Sequence, residues 1–212
     1  MTKLVAGALL LIASTASAQT LVAFAPPPEK PAPRSVEAEV GMMMGGADAA
    51  DVNGFSFGGT ASVGYRIGDN ALRASFDYYS VGDGYQEVMQ RHGRATRVGG
   101  ALRHSFRSTD RDRDFYGDLW GELGGGYEQI GWTSGGLLSR PDAELAFGVD
   151  LGFRNTKSQH ITGTFMDFRA FLGEAPPDAH AMATCGGPCT EATTAPRVDV
   201  SMFFEMGVHW GQ

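Results

Sequence analysis

His104 and Ser105 are the one adjacent histidine and serine in the chain, and such a pair is the first place to seek a nucleophile with its base. They lie where apolar residues recur at every second position. On a strand, neighbours point to opposite faces, so the two side chains cannot meet. His160 and His209 stand near a turn and near the end of the chain, where an exposed or interfacial histidine is expected. Cys185 and Cys189, even with His180, do not complete the four ligands of a structural zinc site. A disulfide closing a small loop is expected of them, with a metal or redox site as the alternative. Gly124-Gly125-Gly126 lacks the lysine and the following helix of a phosphate-binding loop, and is expected to let a strand wall bend. No catalytic residue, metal ligand or cofactor-binding motif emerges, so the reading is non-enzymatic.

What remains is ionic chemistry, and the elements that carry it are strands. From Ser35 onward the chain divides into eight segments with a period of two. In the last, Val198, Val200, Met202, Phe204, Met206, Val208 and Trp210 share one face; Arg197, Asp199, Ser201, Glu205, Gly207 and His209 share the other, and only Phe203 breaks the pattern. In the sixth, Ala143, Leu145, Phe147, Val149, Leu151 and Phe153 alternate with Glu144, Ala146, Gly148, Asp150, Gly152 and Arg154. The second runs from Ser56 to Ile67 and the third from Leu72 to Tyr79. The first, fourth, fifth and seventh centre on Val36 to Met42, Arg97 to Phe106, Phe115 to Glu128 and Thr162 to Ala170. The polar faces together carry Arg66, Arg73, Arg97, Arg103, Arg154, Arg169 and Arg197. Against them stand Glu37, Glu39, Asp77, Asp118, Glu122, Glu128, Glu144, Asp150, Asp167, Asp199 and Glu205, interspersed with Gly, Ser and Ala.

That mixture decides between a wall facing water and a wall facing lipid. A water-facing surface normally carries lysines, yet beyond Lys3 the chain has only Lys30 and Lys157. Every strand cation is an arginine, whose planar fork pairs carboxylates bidentately and is less strongly hydrated than an ammonium. The polar face therefore reads as a narrow interior crossed by ion pairs, leaving the apolar face for lipid. A genome that encodes Arg for Lys would explain the bias, but not its placement beside carboxylates. Aromatic residues fall near strand ends on the apolar face: Tyr65, Phe106, Phe115, Phe153 and Trp210 toward one rim, Phe57, Tyr78 and Tyr127 toward the other. Amphipathic rings form such girdles at lipid headgroups.

The beginning of the chain sets the compartment. Lys3, the apolar run Val5 to Ala13 and Ala16-Ser17-Ala18 make a signal peptide over residues 1–18, cut before Gln19. Residues 19–34, with Pro26-Pro27-Pro28 and Pro31-Ala32-Pro33, are expected to be an extended periplasmic leader. Removing Lys3 turns the formal charge of −7 into −8, and no basic stripe is present, which argues against a nucleic-acid partner. Beyond Ala18 no apolar run is long enough for a spanning helix, so any crossing must use strands closed into a barrel. Connections alternate between short turns at Gly68 to Asn70, Ser108 to Arg113 and Asn155 to Ser158 and longer loops at Gly45 to Gly54, Val81 to Gly93, Gly131 to Arg140 and Gly173 to Ala195. Short periplasmic turns and long extracellular loops mark bacterial outer-membrane barrels.

The expectation is therefore an all-β protein: an eight-stranded, antiparallel, up-and-down transmembrane β-barrel over residues 35–212. In architecture and in the final strand, Val198 to Trp210, the chain resembles the small outer-membrane barrels of the OmpA and OmpX type. The terminal aromatic that the assembly machinery reads in such proteins corresponds to Trp210, here followed by Gly211-Gln212. No peptidoglycan-binding domain follows. The resemblance implies an exported, monomeric, non-enzymatic protein in the bacterial outer membrane. It would contact lipid, lipopolysaccharide and the assembly machinery, and play a structural or surface-interaction role through its extracellular loops. The alternatives are a narrow channel for ions or small apolar solutes, and a soluble periplasmic lipid-binding barrel. Eight strands leave an interior just wide enough for side chains to fill, which speaks against a wide pore.

Overall fold

The computed structural model describes residues 34–49, 52–82, 92–108, 115–154, 160–175 and 198–211, all within one compact unit, Pro33–Gln212. Residues 1–18 and most of the Pro-rich stretch lie outside the described residues, as do Cys185, Cys189, Arg197 and the Arg154 side chain. No helix occurs among the described residues. Eight strands follow one another: β1 Arg34–Ala49, β2 Val52–Ile67, β3 Asn70–Val81, β4 Gly93–Ser108, β5 Phe115–Trp132, β6 Leu137–Arg154, β7 Ile161–Glu174 and β8 Val198–Gly211. Each pairs antiparallel with the next, and β8 pairs with β1, closing the barrel.

The pairing fixes the geometry. Starting at Val36 and following the partners through Tyr65, Leu72, Leu102, Leu123, Leu145, Ala170 and Met202 leads back to β1 at Gly46, ten residues further on. With strands about 4.8 Å apart and a rise of about 3.3 Å per residue, that stagger tilts the strands by roughly 40°. Burial alternates residue by residue, and in β8 Asp199, Ser201, Phe203, Glu205 and His209 are buried while Val198, Val200, Met202, Met206, Val208 and Trp210 are exposed. The polar face is the inside and the apolar face is the outside.

Two connections expected as long loops are short. β1 runs on to Ala49 and β2 begins at Val52; β5 runs to Trp132 and β6 begins at Leu137. Gly45 and Gly46 read as loop residues but sit in β1, and β6 takes in Pro141. At Pro141 β6 pairs with β5 through Tyr127, while its pairing with β7 starts only at Asp142, so a residue without an N–H is tolerated there. The turn after β5 is closed by Gly135 and Gly136, with φ of 91° and 103°. The β2–β3 turn uses Gly68 at φ 63°. A register shift interrupts the β4–β5 ladder between Ser105 and Arg107.

The glycine triplet does not break the wall, since its ladders to β4 and β6 are continuous. Its work is to leave room. A Cβ on Gly126 would lie 2.7 Å from the Arg97 guanidinium carbon, and one on Gly99 would lie 2.7 Å from Arg97 Nη1. Gly148 leaves the same kind of space beside Trp120, and Gly173 beside Arg140. At Arg97 and Arg140 the long side chain fits because the facing positions carry no side chain.

Candidate functional site

The charged interior is built up from the end where β1 starts, β8 ends and the β2–β3 turn lies. Arg66 of β2 reaches Glu37 on β1 at 2.5 Å and Asp118 on β5 at 3.0 Å, and donates to Ser105 at 2.7 Å. Tyr116 and His209 are hydrogen-bonded beside them, their rings stacked 5.5 Å apart. His209, expected to be exposed or interfacial, is buried, and its Nδ1 lies 3.8 Å from Asp150. It sits near the end of the chain, but on the inward face of β8, and that parity decides its burial.

One turn of the wall higher, Arg73 and Arg103 share a pair of carboxylates. Arg73 pairs with Glu39, and with Glu122 at 2.7 Å. Arg103 reaches Glu39 at 2.8 Å, Glu122 at 3.0 Å and Asp150 at 3.4 Å. Its guanidinium lies 3.4 Å above the Trp120 ring, while Trp120 Nε1 donates to Asp150 at 2.8 Å. Above these, Arg169 stands 3.1 Å from Glu144, 3.5 Å from Glu205, 3.7 Å from Asp167 and 3.8 Å from Glu122. Arg97 then gathers Asp77 at 3.0 Å and Asp142 and Glu144 at 2.7 Å each. Nearest the other end, Arg140 meets Glu128 at 2.6 Å and Asp199 at 2.5 Å.

Of the eighteen charged positions expected inside, sixteen have described side chains, and each of these faces inward and enters an ion pair. Arg140 and Asp142 join them without having been expected. They were hidden because a loop was read up to Arg140, although both continue the parity of Glu144 and Asp150 on β6. A second unexpected feature is apolar. Met43, Tyr79, Phe171 and Phe203, with Ala47, Ala49, Val81, Ala95 and Ile130, form a buried cluster across the interior toward the end where β1 meets β2 and β5 meets β6. Tyr79 lies 4.8 Å from Phe203 and 6.3 Å from Phe171, ring centre to ring centre. Arg97 rests 4.1 Å above Phe171. Phe203 breaks the polar pattern of its face because it belongs to this plug.

Glu39, Asp150 and His209 present one ligand atom each within 4.8 Å of one another. Arg103 occupies both carboxylates, and a cation added there would meet its charge. His104 points outward and bonds Asn70 at 3.0 Å, while Ser105 points inward to Asp118 at 2.7 Å, on opposite faces of β4.

The outer wall is the complement. Among the exposed described residues, only Asp69, Arg94 and Glu174 are Asp, Glu, Lys or Arg, and all three lie at strand ends or in a turn. Phe57, Tyr65, Tyr78, Phe106, Phe115, Tyr127, Phe153 and Trp210 are all exposed on this wall. The band between the two groups of rings is not purely aliphatic or small, for Phe147, Phe168 and Phe204 form a row of rings 5.5 and 5.2 Å apart, and Phe76 is exposed there too.

No protein-family model and no curated protein matches the sequence. Similar solved structures include the crystal structure of neisserial surface protein A, NspA, 15% identical over 85% of this chain and 98% of that one, with a TM-score of 0.42. Ail, the attachment invasion locus protein of Yersinia pestis, is similar in its complex with the heparin analogue sucrose octasulfate, at 14% identity over 84% of this chain and 99% of that one, TM-score 0.40. Ail without that ligand gives 14% identity over 84% of this chain and 98% of the other, with a TM-score of 0.39. The closed barrel described above rests on this chain's own strand pairing.

Proposed function

We propose that the protein is a monomeric, non-enzymatic barrel of the bacterial outer membrane with a structural or surface-interaction role. The observation that carries this reading is the inside-out distribution of charge on a closed wall. From Val200 to Trp210 the outward side chains of β8 are all apolar, which spans roughly 25 Å of height at a tilt of about 40°. An apolar band of about 25 Å is what a hydrocarbon core requires of a barrel. In water the same wall would expose Leu72, Leu102, Leu123, Phe147 and their neighbours in one continuous apolar surface, far beyond what soluble monomers carry. A soluble lipid-binding barrel would need an apolar cavity inside, and this interior is filled with ion pairs.

The plug of Met43, Tyr79, Phe171 and Phe203 speaks for a wall without a conduit, so structural or surface roles are favoured over a channel. Lipid and lipopolysaccharide are the partners that the uncharged wall and its rings fit, and the assembly machinery is the partner of the final strand. Loops facing outward from the cell make any further contacts. Membrane extraction with an unheated against heated gel comparison tests the assignment. The expected result is release only by detergent and a faster-moving folded form before heating. A protein that stays soluble without detergent overturns it.

A further inference from the structure

Every buried carboxylate in the barrel has to find donors, because an unpaired charge in a dry interior costs several kcal/mol. Most do so: Glu39 meets two arginines and Ser62, Asp77 accepts from Thr60 at 2.7 Å and from Arg97, and Asp150 accepts from Trp120 and Arg103. Asp167 on β7 and Glu205 on β8 are different. They are direct register partners, both are fully buried, and neither oxygen of either side chain accepts a hydrogen bond from a described residue. Inward-facing partners on adjacent strands lie close enough for their side chains to meet. Among the described residues the cation that pairs with both is Arg169, at 3.7 and 3.5 Å, which is also drawn to Glu144 at 3.1 Å. The remaining charges that face the pair are Glu39 on β1, Asp77 on β3, Arg103 on β4 and Glu122 on β5.

Two carboxylates and one guanidinium leave a surplus negative charge in the buried interior of the barrel. We infer that Asp167 and Glu205 hold one hydrogen between them, as an acid–carboxylate pair that together with Arg169 carries no net charge. The shared hydrogen gives each side chain a hydrogen bond and ties β7 to β8 next to the barrel's closing seam. Like-charged carboxyl groups confined to one site characteristically settle this way. A bound metal fits less well, since Arg169 Nη2 lies 3.7 Å from Asp167 and 3.5 Å from Glu205 and a cation added there would meet its charge. The inference concerns the interior alone and does not depend on the membrane assignment.

Infrared spectroscopy of the folded full-length chain at neutral pH tests it, through the C=O stretch of an un-ionised carboxylic acid. The wild type is expected to show this band, and Asp167→Asn and Glu205→Gln are each expected to lose it while keeping the folded, heat-sensitive gel form. Labelling the wild type with aspartate ¹³C at Cγ and glutamate ¹³C at Cδ should move the band, which keeps the test sound if a variant fails to fold. A wild-type spectrum without the band overturns the inference, as does a band that survives in both folded variants. A rise in thermal midpoint with Na⁺, Mg²⁺ or Ca²⁺ that Glu205→Gln abolishes also overturns it, in favour of a cation.

Discussion

Arg169 and Arg94 carry the same charge on opposite faces of one wall and experience opposite surroundings. Arg169 is enclosed among Glu144, Asp167 and Glu205, whereas Arg94 is exposed one residue into β4. Removing one partner of a buried ionic cluster strands the other charges, at about 3–5 kcal/mol. Arg169→Leu should therefore lower the urea midpoint of the folded barrel sharply, while Arg94→Leu should stay within about 0.5 kcal/mol of wild type. Equal losses would mean that Arg169 is not held inside. Gly126 is the steric counterpart: Gly126→Val drives a side chain into the Arg97 guanidinium and should cost about 1–3 kcal/mol, measured in the same denaturation assay. An unchanged midpoint would show that Arg97 has room to move. The charges were legible in the sequence because parity alone assigns Glu144, Asp167 or Arg103 to the polar face. The role of the glycines was not, since which residue needs space depends on the facing strand and on register.

At the scale of the strand, period two carries most of the information, and it is strongest where no residue breaks it. β6 and β8 were readable for that reason, and Phe203, the one exception in β8, marks the apolar plug. Strand ends were less readable. Gly45, Gly46, Gly131 and Pro141 carry turn chemistry but remain paired, because in a closed barrel the neighbouring strands impose the ladder whatever the local preference. Arg140 and Asp142 were missed as a consequence. The outward face of β5 gives a test at this scale. Leu123 is 66% exposed and lies midway along its strand. If it faces hydrocarbon, Leu123→Arg should destabilise the barrel in a bilayer by about 2–4 kcal/mol. The same change in a water-facing strand would be nearly silent, so a stability equal to wild type in lipid vesicles contradicts the assignment.

For the molecule as a whole, stability and function follow from one inversion: polar and packed within, apolar without. The plug and the ion pairs fill the interior, so reconstituted protein should show no steady single-channel conductance in a planar bilayer, and a reproducible open level would show that a path runs past Tyr79 and Phe203. Neither the plug nor the sharing of Glu122 and Glu144 among several arginines is legible in the sequence, because both require knowing which strands lie across the barrel rather than beside one another. The central claim is that each strand has one face in lipid and one in a closed interior. A spin-label scan of β8 from Val198 to Gly211, in protein lacking Cys185 and Cys189 and reconstituted in lipid, measures it directly. Labels at Val200, Met202, Phe204, Met206, Val208 and Trp210 should be accessible to oxygen and shielded from a water-soluble relaxation agent, while labels at Asp199, Ser201, Phe203, Glu205 and His209 should be shielded from both. Ready access of the water-soluble agent to the apolar set would contradict the account.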